Sequence, residues 1–217
     1  DPSTSQWGTS VAYEYLFHYV WMNSGEWMNA DLFGTECLLN EEKAFEALKF
    51  NHDLMWGSDP VSPKPGETGE FGWWNVFSTG KVAFMESHSW TVTNYIRENA
   101  FQWDFTDLPM ARDGGKAGLT FCNGYSIAYS TKHVPESVTL LEFMASPWVN
   151  KQTCNGIIGS QPARRSVAPE WDTNSLGARA GYDVAAFTRS MEHARLAPEF
   201  KESDRILEIF NPVWDQI

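Results

Sequence analysis

The sequence is poor in cations, in cysteine and in long apolar runs. Among its 217 residues, 16 are Lys or Arg and 28 are Asp or Glu, which sets the net charge at −12. Nucleic-acid affinity depends mainly on cationic contacts with phosphate, so this surplus of acid argues against a nucleic-acid partner. It also argues against docking on an anionic membrane surface. No apolar run approaches the roughly 20 residues of a membrane span, and we expect no membrane insertion of this chain.

The three cysteines, Cys37, Cys122 and Cys154, stand far apart in the sequence. Their spacing excludes a disulfide framework and a CxxC zinc site, and it allows at most one bridge. The sequence opens at Asp1 without a methionine or a signal peptide, which indicates a processed or truncated chain.

Hydrophobic residues make up 42% of the sequence and charged residues 20%, which is typical of a globular protein. The length suits one large domain or two small ones. Tryptophan is unusually frequent, with 11 residues. Because tryptophan serves both in cores and where flat ligands are gripped, we expect most of the 11 to be core and a few to be functional.

Helix and strand patterns alternate along the chain. Apolar periodicity, caps and stop residues predict helices at residues 7–22, 41–56, 71–79, 89–99, 147–155, 174–195 and 203–211, with another opening at Pro135. Strand patterns cover residues 81–86, 101–108 and 119–130. This alternation predicts the α/β class.

Catalytic motifs are weak. The five histidines form neither HExxH nor HxH, and no GxSxG is present. Ser87 and His88 are sequence neighbours that point to opposite faces of an extended segment, which a catalytic triad does not allow. The carboxylates of Glu86, Asp104 and Asp107 could serve glycoside hydrolysis, so a carbohydrate-active enzyme fragment stays an alternative.

Binding chemistry is better represented. A sugar site needs an aromatic platform beside hydrogen-bonding groups, and Trp90 follows a predicted strand that ends at Glu86. Ligands of α/β proteins collect at strand ends. Asn123-Gly124 lies inside a predicted strand, where a glycine allows close approach of another group. Each feature also has a structural explanation: Trp90 as a packing residue, Gly124 as a bulge and Arg164 with Arg165 as a surface pair.

The serial order of several segments resembles a known family. These segments are "EKAFEALKFNHDL", a Pro-rich loop, "FSTGKVAFMESHSW", "FQWDFTDLPMARDGGKAG", "FCNGYSIAYSTKHVPESVTLLEFMASP" and "CNGIIGSQPARRSVA". Over roughly residues 20–217 the chain is similar to the family-1 extracellular solute-binding proteins, the substrate receptors of bacterial ABC importers. Within that family it is most similar to the sugar-binding group that includes maltose-binding proteins.

This resemblance implies a type II periplasmic-binding-protein-like fold, in which two α/β lobes enclose a ligand cleft. Residues 1–112 would form the first part of the C-terminal lobe, and residues 113–159 would cross the hinge and contribute a strand and helices to the N-terminal lobe. Residues 160–217 would return to the C-terminal lobe. Family members are nearly twice as long, so we expect most of the N-terminal lobe to be missing here.

The resemblance also assigns ligand-binding residues. Trp90 matches the position of a stacking aromatic after the "GKVAFM" strand, and the other implied contacts are Trp7, Glu86, His88, Asn123, Gly124 and Arg164. Trp7 would begin a helix whose N-terminus faces the cleft, which is a looser match.

The function that follows from the resemblance is a non-catalytic receptor without a cofactor or metal. It would bind a sugar or oligosaccharide, deliver it to an ABC transporter permease, and act as a monomer in the periplasm or as a cell-surface lipoprotein. A polyamine or glycerol phosphate ligand, and a structural module without ligand, are the remaining alternatives.

Overall fold

The computed structural model alternates strands and helices, which confirms the α/β class. It describes residues 6–11, 16–30, 32–64, 66–68, 75–156, 159–198, 205 and 208. The strands are β1 (Trp7–Ser10), β2 (Val82–Met85), β3 (Gly118–Thr120) and β4 (Ala194–Leu196). The α-helices are α1 (Leu16–Met22), α2 (Glu42–Trp56), α3 (Val92–Glu98), α4 (Val134–Met144), α5 (Pro147–Asn155), α6 (Pro169–Asn174), α7 (Leu176–Arg179) and α8 (Ala185–Ser190).

The chain folds into two compact units. The first unit contains Asp1–Glu86, Leu108–Phe121 and Ser190–Ile217, and the second contains Ser87–Asp107 and Cys122–Arg189. The assignment of residues 1–112, 113–159 and 160–217 to lobes stays a prediction. Among the described helices, none has the length and apolar character needed to cross a membrane.

Two parallel strand pairs organise the first unit. β1 pairs with β2 so that Trp7 lies opposite Val82 and Ser10 opposite Met85. β3 pairs in parallel with β4. Parallel neighbours require a crossover connection, and the chain between β1 and β2 supplies one that includes α1 and α2.

The core of the first unit forms where α1 packs on α2. Leu16 and Val20 are fully buried on one side of α1, and Ala44 is fully buried on α2. Small alanines on α2 allow close approach of α1, whose larger side chains fill the interface. The buried members of this core are Leu16, Val20, Trp21, Met22, Trp27, Ala44, Ala47 and Ala117.

The second unit has an aromatic core. Trp171 is 1% exposed, and its indole Nε1–H donates a hydrogen bond to the Val184 carbonyl oxygen at 2.9 Å. Trp103 stacks on Tyr182 with ring centroids 4.2 Å apart, and Phe105 meets Phe187 edge-on at 4.9 Å. Since a buried indole N–H needs a partner, the Val184 carbonyl makes burial of Trp171 favourable.

Cysteine burial leads to a first prediction. All three cysteines are free thiols; Cys37 and Cys122 are exposed, whereas Cys154 is fully buried. Burial raises the pKa of the Cys154 thiol to about 11, and the nearby Glu170 carboxylate adds to this shift. A thiol reagent reacts with the thiolate, so at pH 8 we expect Cys37 and Cys122 to react rapidly and Cys154 to react only in denaturant.

A colorimetric thiol count over time measures this difference. Cys122→Ser is the matched control, because it should reduce the rapid count from two thiols to one. Three rapidly reacting thiols in the folded wild-type chain would contradict the buried position of Cys154.

Helix predictions that rest on local pattern are confirmed for α2, α3, α4 and α5. α2 ends at Gly57, whose backbone N–H donates to the Asp53 carbonyl, and Ser146 caps α5 through a hydrogen bond from the Val149 N–H. One detail of α2 differs from the prediction. Phe45 is exposed, and Asn51 is buried, with its Nδ2 bonded to the Ala47 carbonyl at 3.0 Å.

The prediction of one helix over residues 7–22 is wrong. Residues 7–10 form strand β1, and the described helix is α1 at Leu16–Met22. A short apolar run does not distinguish a strand from a buried helix, and the pairing with β2 decides in favour of a strand.

Two strand predictions and one helix prediction also need correction. Residues 101–108 are not paired as a strand; Trp103 and Phe105 instead both pack on Tyr182. The strand predicted at 119–130 is limited to β3 at Gly118–Thr120. The helix predicted at 174–195 is divided into shorter pieces, with Ser175 capping α7 and Gly181 at a left-handed φ of 90° after it.

The strand predicted at 81–86 is confirmed as β2. In the segment predicted as an aromatic helix at 71–79, Phe77–Thr79 is a 3₁₀ turn, and residues 71–74 lie outside the described part of the chain. Nearly all of the helix predicted at 203–211 also lies outside it.

Candidate functional site

Trp90 lies in a short turn that a hydrogen-bond network holds in place. The 3₁₀ turn Ser89–Thr91 leads directly into α3. The Thr91 hydroxyl donates to the His88 carbonyl oxygen at 2.8 Å, and the Ser87 and Thr91 hydroxyls are hydrogen-bonded to each other. Because Thr91 is buried, this network fixes the backbone on either side of Trp90.

The structure brings two predicted site residues, His88 and Trp90, together. Their rings stack with centroids 4.1 Å apart and an interplanar angle of 27°. His88 is nearly buried, whereas Trp90 keeps 39% of its surface exposed. The imidazole therefore supports an indole that still presents apolar ring surface to solvent, an arrangement suited to stacking on the C–H face of a sugar ring.

Glu86 belongs to a buried polar cluster in the first unit. Its Oε1 lies 3.2 Å from Nε2 of the buried His18, and its charge also acts on the side chain of Tyr19. Burial, with the Glu86 charge as a second cause, holds the pKa of Tyr19 well above its usual value. A ligand role for Glu86 stays a prediction, and the structure shows that its carboxylate already has the His18 ring as a protein partner.

This cluster predicts a stability effect for Glu86→Ala. Removing the carboxylate takes an acceptor from the buried His18 ring, and losing a partner of a buried polar group costs about 1–3 kcal/mol. We expect the free energy of unfolding, measured in urea, to fall by about that amount.

Glu36→Ala is the matched control, because Glu36 is exposed and the same truncation there should change the unfolding free energy by less than about 0.5 kcal/mol. Equal effects of the two substitutions would contradict a structural role for Glu86.

Trp7 occupies strand β1 and not the start of a helix. Its register opposite Val82 places it at the amino end of the β1–β2 pair. The carboxyl ends, where ligands of parallel sheets collect, lie at Ser10 and Met85. The predicted helical setting of Trp7 is therefore wrong, and its ligand role stays a prediction.

Asn123, Gly124 and Arg164 are exposed residues of the second unit. A Cβ added at Gly124 would meet no atom within 4 Å, so no group approaches this glycine in the way its position in a strand suggested. The Arg164 guanidinium donates to the Ala145 carbonyl, just after the end of α4. Ligand contacts by these three residues stay predictions.

The candidate glycosidase carboxylates of the second unit also have protein partners. Asp104 accepts a hydrogen bond from the Asp183 backbone N–H at 2.8 Å, and Asp107 accepts one from Arg189 Nε at 2.8 Å. Within the described residues, no group of three His, Cys, Asp or Glu side chains could hold a metal ion. These carboxylates act as structural acceptors in this geometry.

Sequence reasoning missed His18 and Tyr19. The only local signal was a histidine within an otherwise apolar helical run, and its partner Glu86 is 68 residues away. The first unit also carries an open groove of about 700 Å³, whose lining includes Tyr19, Phe50, Lys43 and Met110. None of the seven predicted contacts lines this groove.

Comparison with known proteins identifies the fold. No family model matches the sequence, and no curated protein matches it. Solved structures do match it. One match is the ABC substrate-binding protein Lmo0181 from Listeria monocytogenes in complex with cycloalternan, with a TM-score of 0.84 and 18% sequence identity. The matched region covers 100% of this chain and 54% of Lmo0181.

Two further structures show the same relation. The sugar-binding protein MalE from Xanthomonas citri matches with a TM-score of 0.71 and 23% identity. This match covers 100% of this chain and 53% of the MalE chain. UgpB from Mycobacterium tuberculosis, in complex with glycerophosphocholine, matches with a TM-score of 0.70 and 15% identity. This match covers 94% of this chain and 51% of UgpB. This chain spans about half the length of these proteins. It therefore has the type II periplasmic-binding-protein-like fold of the MalE-type ABC substrate-binding proteins, over about half of that fold.

Proposed function

We propose that the chain is the ligand-binding part of an ABC importer's substrate receptor and that its ligand is a carbohydrate. The observation that carries this proposal is the Trp90 indole, 39% exposed and supported by His88 at 4.1 Å. Sugars present flat C–H faces, and an aromatic ring held in place by its neighbours binds such a face at low entropic cost.

The comparisons support the ligand class through what the similar proteins bind. Lmo0181 was solved with cycloalternan, and MalE from Xanthomonas citri is a sugar-binding protein. Net charge supports the same choice. A chain with a net charge of −12 repels a polyanionic ligand, whereas its negative field does not weaken the binding of a neutral sugar.

A second candidate ligand has one observation in its favour. UgpB, which shares the fold, was solved with glycerophosphocholine. A phosphodiester needs a cation, and Arg164 is the predicted contact that could supply one. Its guanidinium, however, already donates to the Ala145 carbonyl, which disfavours this alternative.

The proposal has three further parts: an ABC permease as the protein partner, a periplasmic or cell-surface lipoprotein location, and a monomeric state. A receptor of this kind has no catalytic role, so the chain should not turn over aryl glycosides. Turnover of an aryl glycoside by the purified chain would instead favour the enzyme-fragment alternative.

A ligand screen tests the central claim. The purified chain is mixed with mono- and oligosaccharides, cycloalternan included, and its melting temperature and tryptophan fluorescence are recorded. A ligand that binds the folded state raises the melting temperature, by an amount that grows with its concentration relative to Kd. Spermidine and glycerophosphocholine serve as controls, because they represent the polyamine and glycerol phosphate ligand classes.

We expect a saturable response to a carbohydrate and none to the controls. A response to glycerophosphocholine alone would overturn the carbohydrate assignment. Silence across the whole panel, from a chain that melts cooperatively, would contradict the claim that this half of the fold binds ligand by itself.

A further inference from the structure

The open groove of the first unit has the size and the walls of a small-molecule site. Its volume is about 700 Å³, and its lining comes from the end of α1, the N-terminal part of α2 and the loop 109–113. Ligand pockets commonly measure about 300–1,000 Å³, so a short oligosaccharide is within its capacity.

Two local contacts hold the walls of this groove in place. Asn23, just after α1, donates from Nδ2 to the Lys43 carbonyl oxygen at 2.8 Å and to Glu46 Oε2 at 3.1 Å, which ties α1 to α2. A Cβ added at Gly115 would lie 2.0 Å from the Met22 carbonyl oxygen, so a glycine is needed for the loop to approach α1 this closely. The groove is therefore shaped before a ligand arrives, which lowers the entropic cost of binding.

Exposed apolar side chains line the groove. Tyr19 and Phe50 are both part of its lining, with ring centroids 6.1 Å apart. Phe50 is 54% exposed, and Met110 on the loop is 61% exposed. Accessible ring surface inside a concave wall is what stacking on the C–H face of a sugar requires.

The charged residues of the lining balance one another. Its cations are Lys43 and Arg112, and its acids are Glu46 and Asp113. Lys43 pairs with Glu46 at 3.1 Å, and hydrogen bonds from Asn23 and Lys43 hold the pKa of Glu46 below its usual value. Within the described part of the chain, the Arg112 guanidinium has neither an ion pair nor a hydrogen bond. The groove thus offers both donors and acceptors without a net formal charge.

This mixture favours a neutral ligand rich in hydroxyl groups. An anion would meet the carboxylates of Glu46 and Asp113, and a cation would meet Lys43 and Arg112. A sugar hydroxyl both donates and accepts, so it can bond to either kind of group while the ring face stacks on Phe50.

We propose that this groove is a second carbohydrate site, in which a short neutral oligosaccharide stacks on Phe50 and hydrogen-bonds to Arg112 and Glu46. All three residues belong to the first unit, whereas Trp90 belongs to the second. The inference goes beyond the site at Trp90, and either site can fail its test without the other.

Ligand-observed saturation-transfer NMR tests the proposal on the full chain carrying Trp90→Ala, which removes the stacking surface of the other site. Maltotriose and cycloalternan are the neutral probes, and phenyl phosphate is the anionic one. Phe50→Ala and Arg112→Ala are then added separately. Phe45→Ala is the matched control, because Phe45 lies on the same helix, is 58% exposed and is not among the described residues that line the groove.

We expect at least one of the two sugars to give a saturable signal with the Trp90→Ala chain. Phe50→Ala should weaken that binding by about tenfold or more, as loss of an aromatic anchor does. Arg112→Ala should weaken it as well, and Phe45→Ala should leave Kd unchanged. All three positions are exposed, so each variant should melt at the temperature of its Trp90→Ala parent, which excludes misfolding as the cause.

Three results would overturn the proposal: silence of both sugars, equal effects of Phe50→Ala and Phe45→Ala, or a Phe50-dependent signal from phenyl phosphate in place of sugar. Equal sugar affinity of the wild type and the Trp90→Ala chain, with the dependence on Phe50 intact, would instead count against the Trp90 site and leave the groove as the carbohydrate site.

Discussion

Trp90→Ala is expected to weaken carbohydrate binding by about 30- to 1000-fold, which corresponds to the roughly 2–4 kcal/mol that a central aromatic contact contributes. The indole offers the exposed ring surface on which the proposed sugar stacks, and alanine cannot replace that contact. Because 39% of Trp90 is already exposed, folding should depend on it much less than binding does. We expect the melting temperature to change by only a few degrees. Isothermal titration calorimetry with the best sugar of the screen measures the change in Kd.

Two matched variants make this test specific. Trp90→Phe keeps an aromatic face, and it should retain most of the affinity. Trp148→Ala removes a tryptophan that is 61% exposed, and it should leave Kd unchanged. If Trp90→Ala lowered the melting temperature strongly and left the sugar affinity intact, Trp90 would be a packing residue and the site would lie elsewhere.

Trp171→Ala is expected to have the largest effect on stability. Its side chain is fully enclosed, and truncation both leaves a cavity beside Val92 and Val184 and removes the donor to the Val184 carbonyl. Truncating a buried aromatic residue to alanine costs about 3–5 kcal/mol. For a chain of this size, a loss of 1 kcal/mol lowers the melting temperature by about 2–4 °C, so we expect a fall of about 6–20 °C.

The same Trp148→Ala variant is the control for stability. It makes the same truncation in the same unit at an exposed position, and it should change the unfolding free energy by less than about 0.5 kcal/mol. Circular dichroism during heating measures both variants. A Trp171→Ala chain that melted within a degree or two of the wild type would show that the Val92, Cys154, Trp171 and Val184 cluster is not the core of the second unit.

Trp90 is a predicted ligand contact and Trp171 is a core residue, and the sequence around each tryptophan does not distinguish the two settings. Both are surrounded by polar and apolar neighbours in the sequence, and both open or precede a helix. The position of Trp90 after the "GKVAFM" strand predicts a ligand contact, whereas no comparable signal in the sequence marks Trp171. Trp171 is expected to matter for stability because its indole N–H donates to the carbonyl oxygen of Val184, which is 13 residues away along the chain.

The sequence by itself determined those elements whose cause is local. α2 follows from helical apolar spacing and a glycine stop at Gly57, and α5 follows from the Ser146 cap with Pro147 at its first position. The α/β class and the position of Trp90 after β2 could also be read from the order of segments. The two helices depend on residues within a few positions of one another, and the class depends only on the order in which such local patterns follow.

Only the tertiary structure decided the features that depend on a distant partner. β1 is a strand because β2 lies beside it, whereas residues 101–108 alternate apolar and polar side chains but pair with no other described strand. Glu86 meets His18 across 68 residues of chain, and His88 supports Trp90 only once the turn at Ser89–Thr91 has formed. Strand pairing and buried polar contacts draw their free energy from groups that folding brings together, and a linear pattern specifies one partner of such a contact without specifying the other.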